Sequence, residues 1–280
     1  MDILEKKIEL LKKIINESSY TVMLGGSGMM KEGGYQGLKS AEQAYETEKK
    51  YGLSPEDIFT TVFYNNRTEQ FFNFYRTEIL GNIPQITESA YVAARMEAAG
   101  KLQCIIDSNV YDLPQRGGCK NVISIHGSIY HNQCPHCGRQ YSMEYIRDSE
   151  KIPRCENCGR VIRPGVTLYG EMLDSLVMSE ATRQVEQAEV LMLMGTSMES
   201  EVFSKYIRYF EGKKLVIIHS EEHFMDEKAD LVIIDEPKNV LPRLGFLVLQ
   251  HTGEGRTLCT MEISKAFTRK QREKVFWIIQ

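Results

Sequence analysis

Residues 104–171 contain CIIDSNVYDLPQRGG (104–118), ISIHGS (123–128), CPHC (134–137), CENC (155–158) and RPGVTLYGE (163–171). The reading of this stretch decides the fold. Two apolar runs in it stop at small polar residues: 104–107 before Ser108-Asn109, and 122–125 before His126-Gly127. Behind the histidine stand two Cys-x-x-Cys pairs separated by 17 residues. That spacing is the two-knuckle pattern of a tetrahedral zinc site, and four thiolates leave no open position for a catalytic water. Cys134, Cys137, Cys155 and Cys158 are therefore expected to hold a structural zinc, with Gly138 and Gly159 making the turn after each knuckle and His136 a bystander.

Outside this stretch the same rhythm recurs. Apolar runs at 21–24, 190–194, 215–218 and 231–234 end at GGSG, GTS, HS and Asp235, and the late ones alternate with helix-like segments at 179–189, 202–210 and 221–228. Short buried strands alternating with helices predict a parallel sheet covered on both faces. In such sheets ligands gather at the carboxyl ends of the strands, where these small polar residues fall. Residues 37–99 break the rhythm with helices at 41–51, 69–80 and 86–99. The cluster Phe71, Phe72, Phe74 and Tyr75 fits a core better than a ligand wall. Residues 1–20 form an amphipathic helix with acids throughout, an ordinary packing helix rather than a signal peptide.

Composition narrows the class. The chain has 280 residues, 42% hydrophobic and 26% charged, with net charge −4. No basic field advertises a nucleic-acid partner, and no apolar run approaches the roughly 18–20 residues that cross a bilayer. Seven cysteines are an odd number for a disulfide framework, and Cys104 beside Ile105-Ile106 reads as a small buried residue. A cytoplasmic protein is expected; oligomeric state is not legible.

The glycines of GGSGMM fit a phosphate loop or a bare turn equally well, and Gly195-Thr196-Ser197 is a second such loop. His126, at the end of a strand and eight residues ahead of a knuckle, is a candidate general base.

Taken together, GSGMM after the first strand, Asn109 with LPQRGG, ISIHGS, the cysteine pairs, RPGVTLYGE, GTS and IIHSEE resemble the sirtuins, Sir2-like NAD-dependent protein deacylases, over nearly the whole chain. The resemblance implies an α/β fold: a Rossmann-like parallel sheet domain (residues 1–36, 100–130 and 163–280), with an inserted helical module (37–99) and a small zinc-ribbon domain (131–162). It implies NAD as cofactor beside structural Zn2+, and an acylated-lysine protein or peptide as substrate. In the implied reaction the acyl-lysine amide oxygen attacks the ribose carbon that carries nicotinamide, and the acyl group ends on ADP-ribose. His126 would be the base for a ribose hydroxyl. Asn109, catalytic with it, would position the ribose and the water or nicotinamide end, and Gln115 would hold ribose hydroxyls, while Gly26, Ser27, Gly28, Gly195, Thr196 and Ser197 would meet phosphate and ribose. Val166, Thr167, Leu168, Tyr169 and Gly170 would pair with an extended peptide.

The chain also departs from the family pattern. Met30 replaces a Ser, and Gln36-Gly37-Leu38-Lys39 replaces PDFR, so Lys39 stands where an Arg meets the cofactor; a point charge does not reproduce a guanidinium fork. Ser108 and Tyr111 stand in the motif that carries Asn109, with Tyr111 at the position of an Asp near the carboxamide. His219 and Ser220 occupy the adenosine-ribose position. Retention of His126 favours deacylation over the alternatives: ADP-ribosyl transfer, NAD hydrolysis, or a weakly active NAD- or ADP-ribose-binding homologue.

Overall fold

The computed structural model describes residues 2–35, 37, 38 and 40–246, and the backbone of 249–251 and 257–259. All six expected apolar runs are strands: β1 (Thr21–Gly25), β2 (Cys104–Asp107), β3 (Val122–Ser124), β6 (Val190–Met194), β7 (Lys214–His219) and β8 (Leu231–Ile234). They form one parallel sheet in the order β3-β2-β1-β6-β7-β8. Strands β4 (Asn132–Gln133) and β5 (Gln140–Tyr141) make a separate antiparallel pair beside the cysteines. The chain divides into two compact units, Met1–Leu244 and Gly245–Gln280. In the second, β9 (Leu249–His251) pairs antiparallel with β10 (Thr257–Cys259).

The sheet order follows from burial. Every residue of β1 and β6 is buried, as expected for central parallel strands with helices on both faces. Alternate side chains serve opposite faces. Val22, Leu24, Cys104, Ile106, Leu191 and Leu193 pack with Ala181 and Val185 of the helix Ser175–Gln187 and with Phe203 and Tyr206. On the other face Met23 and Ile105 meet Ala90 and Ala93 of the helix Glu88–Ala98. The N-terminal helix Ile3–Glu17 buries Ile8, Leu11, Ile14 and Ile15. Burial pushes the Cys104 thiol up to about 12, so it is an inert packing residue.

Several helices differ from expectation. The segment expected to be one helix is α-helical over Thr68–Phe74 and widens to a π-helix over Tyr75–Leu80; the Thr77 hydroxyl donates to the Asn73 carbonyl at 3.0 Å there, the back-bonding that competes with a regular ladder. Phe71, Phe72, Phe74 and Tyr75 are 0% exposed, so the aromatic cluster is core. The helix expected at 202–210 is shorter, Ser204–Ile207. At 221–228 there is a 3-10 helix, Phe224–Lys228. There Asp226 is drawn to the His219 ring (2.8 Å) and the His223 amide (2.9 Å), which fixes a short turn.

Gly52 ends the helix Ala41–Tyr51 in the left-handed conformation, φ 73°, the usual glycine stop. The helical stretch is tied to the cysteine ribbon by Arg76 Nη1 donating to Lys151 O at 3.1 Å and Tyr64 donating to Ile162 O at 3.4 Å. Among the described residues, no helix is long and apolar enough to cross a membrane.

At the middle of the sheet, the loops leaving β1 and β6 touch through their backbones. Gly26 N donates to Met194 O at 2.9 Å and Gly28 N to Gly195 O at 2.8 Å. A Cβ on Gly28 would lie 2.5 Å from Gly195 Cα, whereas one on Gly37 would meet nothing within 4 Å among the described residues. Gly28→Ala is therefore expected to destabilise the protein by about 1–3 kcal/mol through overpacking, with Gly37→Ala near neutral. Urea unfolding of both variants checks this; equal stabilities would contradict the close-approach account.

Candidate active site

The order β3-β2-β1-β6-β7-β8 reverses direction at β1, and a crevice opens beyond the carboxyl ends at such a switch point. The loops that border it are 26–30, 108–112, 125–128, 195–197 and 219–220. Among the residues expected at a cofactor, Gly26 and Gly28 spend their amides on Met194 and Gly195. Those two N–H groups, read as candidates for a pyrophosphate, instead hold the loops together. Ser27 is exposed, and Met30, Thr196 and Ser197 are half-buried on the same edge. Gly195 takes φ 60° so that its chain can pass Gly28. Ser108 is committed to β1: its N and Oγ both donate to Gly25 O, at 3.1 and 3.0 Å. Lys39, with Gln36, lies outside the described residues.

Asn109 is 2% exposed. Its Oδ1 accepts from Tyr111 N at 2.9 Å, and its Nδ2 donates to Asp107. Tyr111 is buried, its ring centroid 5.2 Å from that of Tyr35. Asp112 follows in the left-handed region at φ 51°, where a short acid is among the tolerated non-glycine residues. Its Oδ2 accepts from Ser128 at 2.7 Å.

His126 sits on the strap after β3. That strap is stitched to the Asn109 turn by Ile125 N to Asp107 O (2.9 Å), Ile129 N to Val110 O (2.9 Å) and the Ser128–Asp112 bond. Sequence-distant Asn109 and His126 are thereby carried on adjoining loops. The imidazole is half-buried, and burial, reinforced by the charge of Lys205, holds its pKa below the ordinary 6.5. It is therefore predominantly neutral at pH 7, the state a general base needs.

Gln115 Nε2 donates to Ser124 Oγ at 3.0 Å, while its Oε1 is a buried acceptor without a partner among the described residues. A buried acceptor left open at this edge fits a hydroxyl donor such as those of a ribose. His219 ends β7, 7% exposed, with Nε2 tied to Asp226 at 2.8 Å. Ser220 beside it is exposed.

The segment 166–170 has less open main chain than expected for a peptide-pairing strand. Thr167 N donates to His126 O (2.9 Å), Tyr169 N to Phe59 O (3.0 Å), and Tyr169 O accepts from Thr61 N (3.0 Å). On the other edge Arg163 Nη2 reaches Val166 O at 3.1 Å, and Glu171 takes Leu168 N at 2.8 Å while pairing with Arg163. Gly170, at φ 86°, follows these paired residues and shows no main-chain partner among the described residues.

Two side chains at this site carried no clear signal in sequence. Lys205 lies in a helix that looked like ordinary surface, and Asp107 looked like a strand terminus. The spacing Asp-x-Asn was visible, but whether such a carboxylate turns inward depends on the strand's register.

The four cysteine sulfurs lie within 4.8 Å of one another, with separations of 3.4, 3.5 and 3.8 Å between the bonded-range pairs. Tetrahedral zinc with bonds near 2.3 Å requires about 3.8 Å between sulfurs, so the donor set fits that metal. Gly138 and Gly159 take φ 72° and 70° after each knuckle. Their amides return to the carbonyls of Cys134 and Cys155. His136 is exposed and outside the cluster.

The sequence model of the Sir2 family matches residues 26–202. An NAD-dependent protein deacetylase of Clostridium acetobutylicum is 37% identical over 236 residues, 84% of this chain and 96% of its own length. A solved Sir2 homologue in complex with NAD is 28% identical, with TM-score 0.74 over 84% of this chain and 91% of that one. Sir2Tm bound to a propionylated peptide is 25% identical, with TM-score 0.71 over 85% and 97%.

The ribbon is joined to the 163–171 segment by Gln133–Arg163 main-chain bonds (3.1 and 2.9 Å) and by Gly165 N to Asn132 Oδ1 (3.0 Å). Removing zinc with a chelator, or Cys155→Ser, is therefore expected to accelerate hydrogen exchange across 131–171 before it reaches the sheet. Unchanged exchange there after metal loss would show that the metal does not support this segment.

Proposed function

The chain belongs to the Sir2 family and is an NAD-dependent protein deacylase; within that activity we propose that His126 is the general base and that Asn109 and Gln115 seat the nicotinamide riboside. The observation that carries the assignment is the stitching of the His126 strap to the Asn109 turn by three hydrogen bonds, with burial lowering the imidazole pKa.

Bound NAD supplies the ADP-ribose that accepts the acyl group and the nicotinamide that leaves. Gln115 Oε1, a buried acceptor without a partner among the described residues, would accept from a ribose hydroxyl. Asn109, clamped at both ends of its carboxamide, holds the turn against which the riboside rests. His126 takes the proton of the ribose hydroxyl that attacks the acyl carbon. Ser27, Met30, Thr196 and Ser197 border the diphosphate path; Ser108 and Tyr111 shape the turn beneath the riboside, and His219 and Ser220 mark the adenosine end. The glycines Gly26, Gly28 and Gly195 allow the path to exist by letting the two loops pass at backbone distance.

The acyl-lysine peptide lies along 166–170 and pairs chiefly at Gly170, past the edge already taken by Arg163 and Glu171. A reducing, cytoplasmic setting belongs to the same reading, because four reduced thiols are needed for the metal.

His126→Ala is expected to slow deacylation of an acetyl-lysine peptide by about 100-fold or more while NAD still binds; a rate within a few-fold of wild type would remove His126 from the role. The pH profile gives a second check. Protonation disables the base, so the rate falls as pH drops through the His126 pKa, which lies below 6.5. Lys205→Gln removes a cation that opposes protonation, so it is expected to move this acid limb to higher pH. An unmoved limb would mean that burial alone sets it.

A further inference from the structure

One buried carboxyl has no part in the chemistry above. Asp107, at the end of β2, is 0% exposed. Its Oδ1 accepts the main-chain N–H of Asn109 at 3.2 Å, and its Oδ2 accepts from Asn109 Nδ2. Asn109 Oδ1 in turn accepts from Tyr111 N at 2.9 Å. The three residues close a hydrogen-bonded brace under the turn that leads to Asp112. Its surroundings are apolar: Met23, Met29, Ala90, Ala93, Ile105 and Pro114 line the same small void. From β1, Gly25 approaches so closely that a Cβ there would lie 3.1 Å from Asp107 Oδ1.

We propose that Asp107 is a positioning residue for cofactor binding, holding Asn109 and the 109–112 turn in the geometry that meets the nicotinamide riboside. The proposal rests on the NAD reading above and adds a residue to it. A buried carboxyl is costly, no cation is paired with this one among the described residues, and both of its oxygens accept from Asn109. The titratable groups it senses or influences are Asp112, on the same turn, and the buried Cys119 thiol. The helix Glu88–Ala98, the helix Ser27–Lys31, β1 and Pro114 bring only apolar side chains and Gly25 to the void.

Burial pushes the Asp107 carboxyl up to about 8. The sign follows from that elevation: the neutral form is favoured on folding, so stability is fully present below the unfolded value of 3.8 and is lost as pH rises towards about 8. Above that pH the buried carboxylate repels Asp112, and the hydrogen bonds from Asn109 offset only part of the cost of burying it.

The test combines calorimetric NAD binding, peptide KM and hydrogen exchange on the full chain. Asp107→Ala should weaken NAD binding by about tenfold or more, the scale of a lost buried hydrogen-bond pair, while the peptide KM stays within about twofold. Asp107→Asn, which keeps one acceptor, should recover part of the loss. Exchange across 108–112 should quicken in both variants, and the melting temperature of Asp107→Asn should gain on wild type as pH rises from 5 to 8. The proposal is overturned if Asp107→Ala or Asp107→Asn binds NAD as wild type does, if both substrates weaken equally, or if exchange across 108–112 is unchanged. Should Asp107→Ala fail to fold, Asp107→Asn decides by the same readouts. Failure of wild type itself to bind NAD would instead sink the cofactor reading, and the exchange measurement would still judge the brace.

Discussion

The site depends on one close approach: the backbone of 26–28 lies against the backbone of 194–195, with bonds of 2.8 and 2.9 Å between them. These segments are far apart in sequence and leave neighbouring central strands. Side chains at Gly28 or Gly195 would hold them apart. Their contact fixes where the crevice at the switch point begins, and the loops from β2, β3 and β7 are arrayed around it. The glycines serve each other first, by letting the two loops meet at backbone distance. This explains why a glycine-rich loop can belong to a cofactor site while two of its amides are already occupied.

The second tier is polar and buried. Asp107, Asn109, Asp112 and Ser128 all lie at or below 6% exposure, in a place where an apolar cluster would cost less. They form a set that joins the turn after β2 to the strap after β3, and this brings Asn109 and His126 to adjoining loops. The cysteine ribbon acts at a distance. It registers residues 163–165 through Asn132 and Gln133, so a metal held by the cysteines would support the segment that follows from a distance.

Much of the architecture was legible in the sequence because it is written in residue type. All six sheet strands were apolar runs bounded by small polar residues, and the four cysteines had only one plausible use at their spacing. The burial of Phe71, Phe72, Phe74 and Tyr75 also followed from their clustering in a helix. What stayed hidden depends on direction and pairing. Nothing in the sequence shows that the Gly26 and Gly28 amides turn towards β6, or that Asp107 folds back onto Asn109. The edges of 166–169 looked open because a run such as VTLY does not reveal Arg163 and Glu171 capping it. The segment 221–228 had helical composition, but a single carboxylate, Asp226, shared between His219 and His223 N, limits it to a short 3-10 turn.

The account stands or falls on whether nicotinamide loss is coupled to acyl transfer. Mass spectrometry of reactions containing NAD, with and without an acetyl-lysine peptide, measures this directly. The account predicts that nicotinamide, deacetylated peptide and O-acetyl-ADP-ribose appear together in equal amounts, and only when the acylated peptide is present. Nicotinamide release at the same rate without peptide, or ADP-ribose attached to protein in place of the acetylated product, would contradict it.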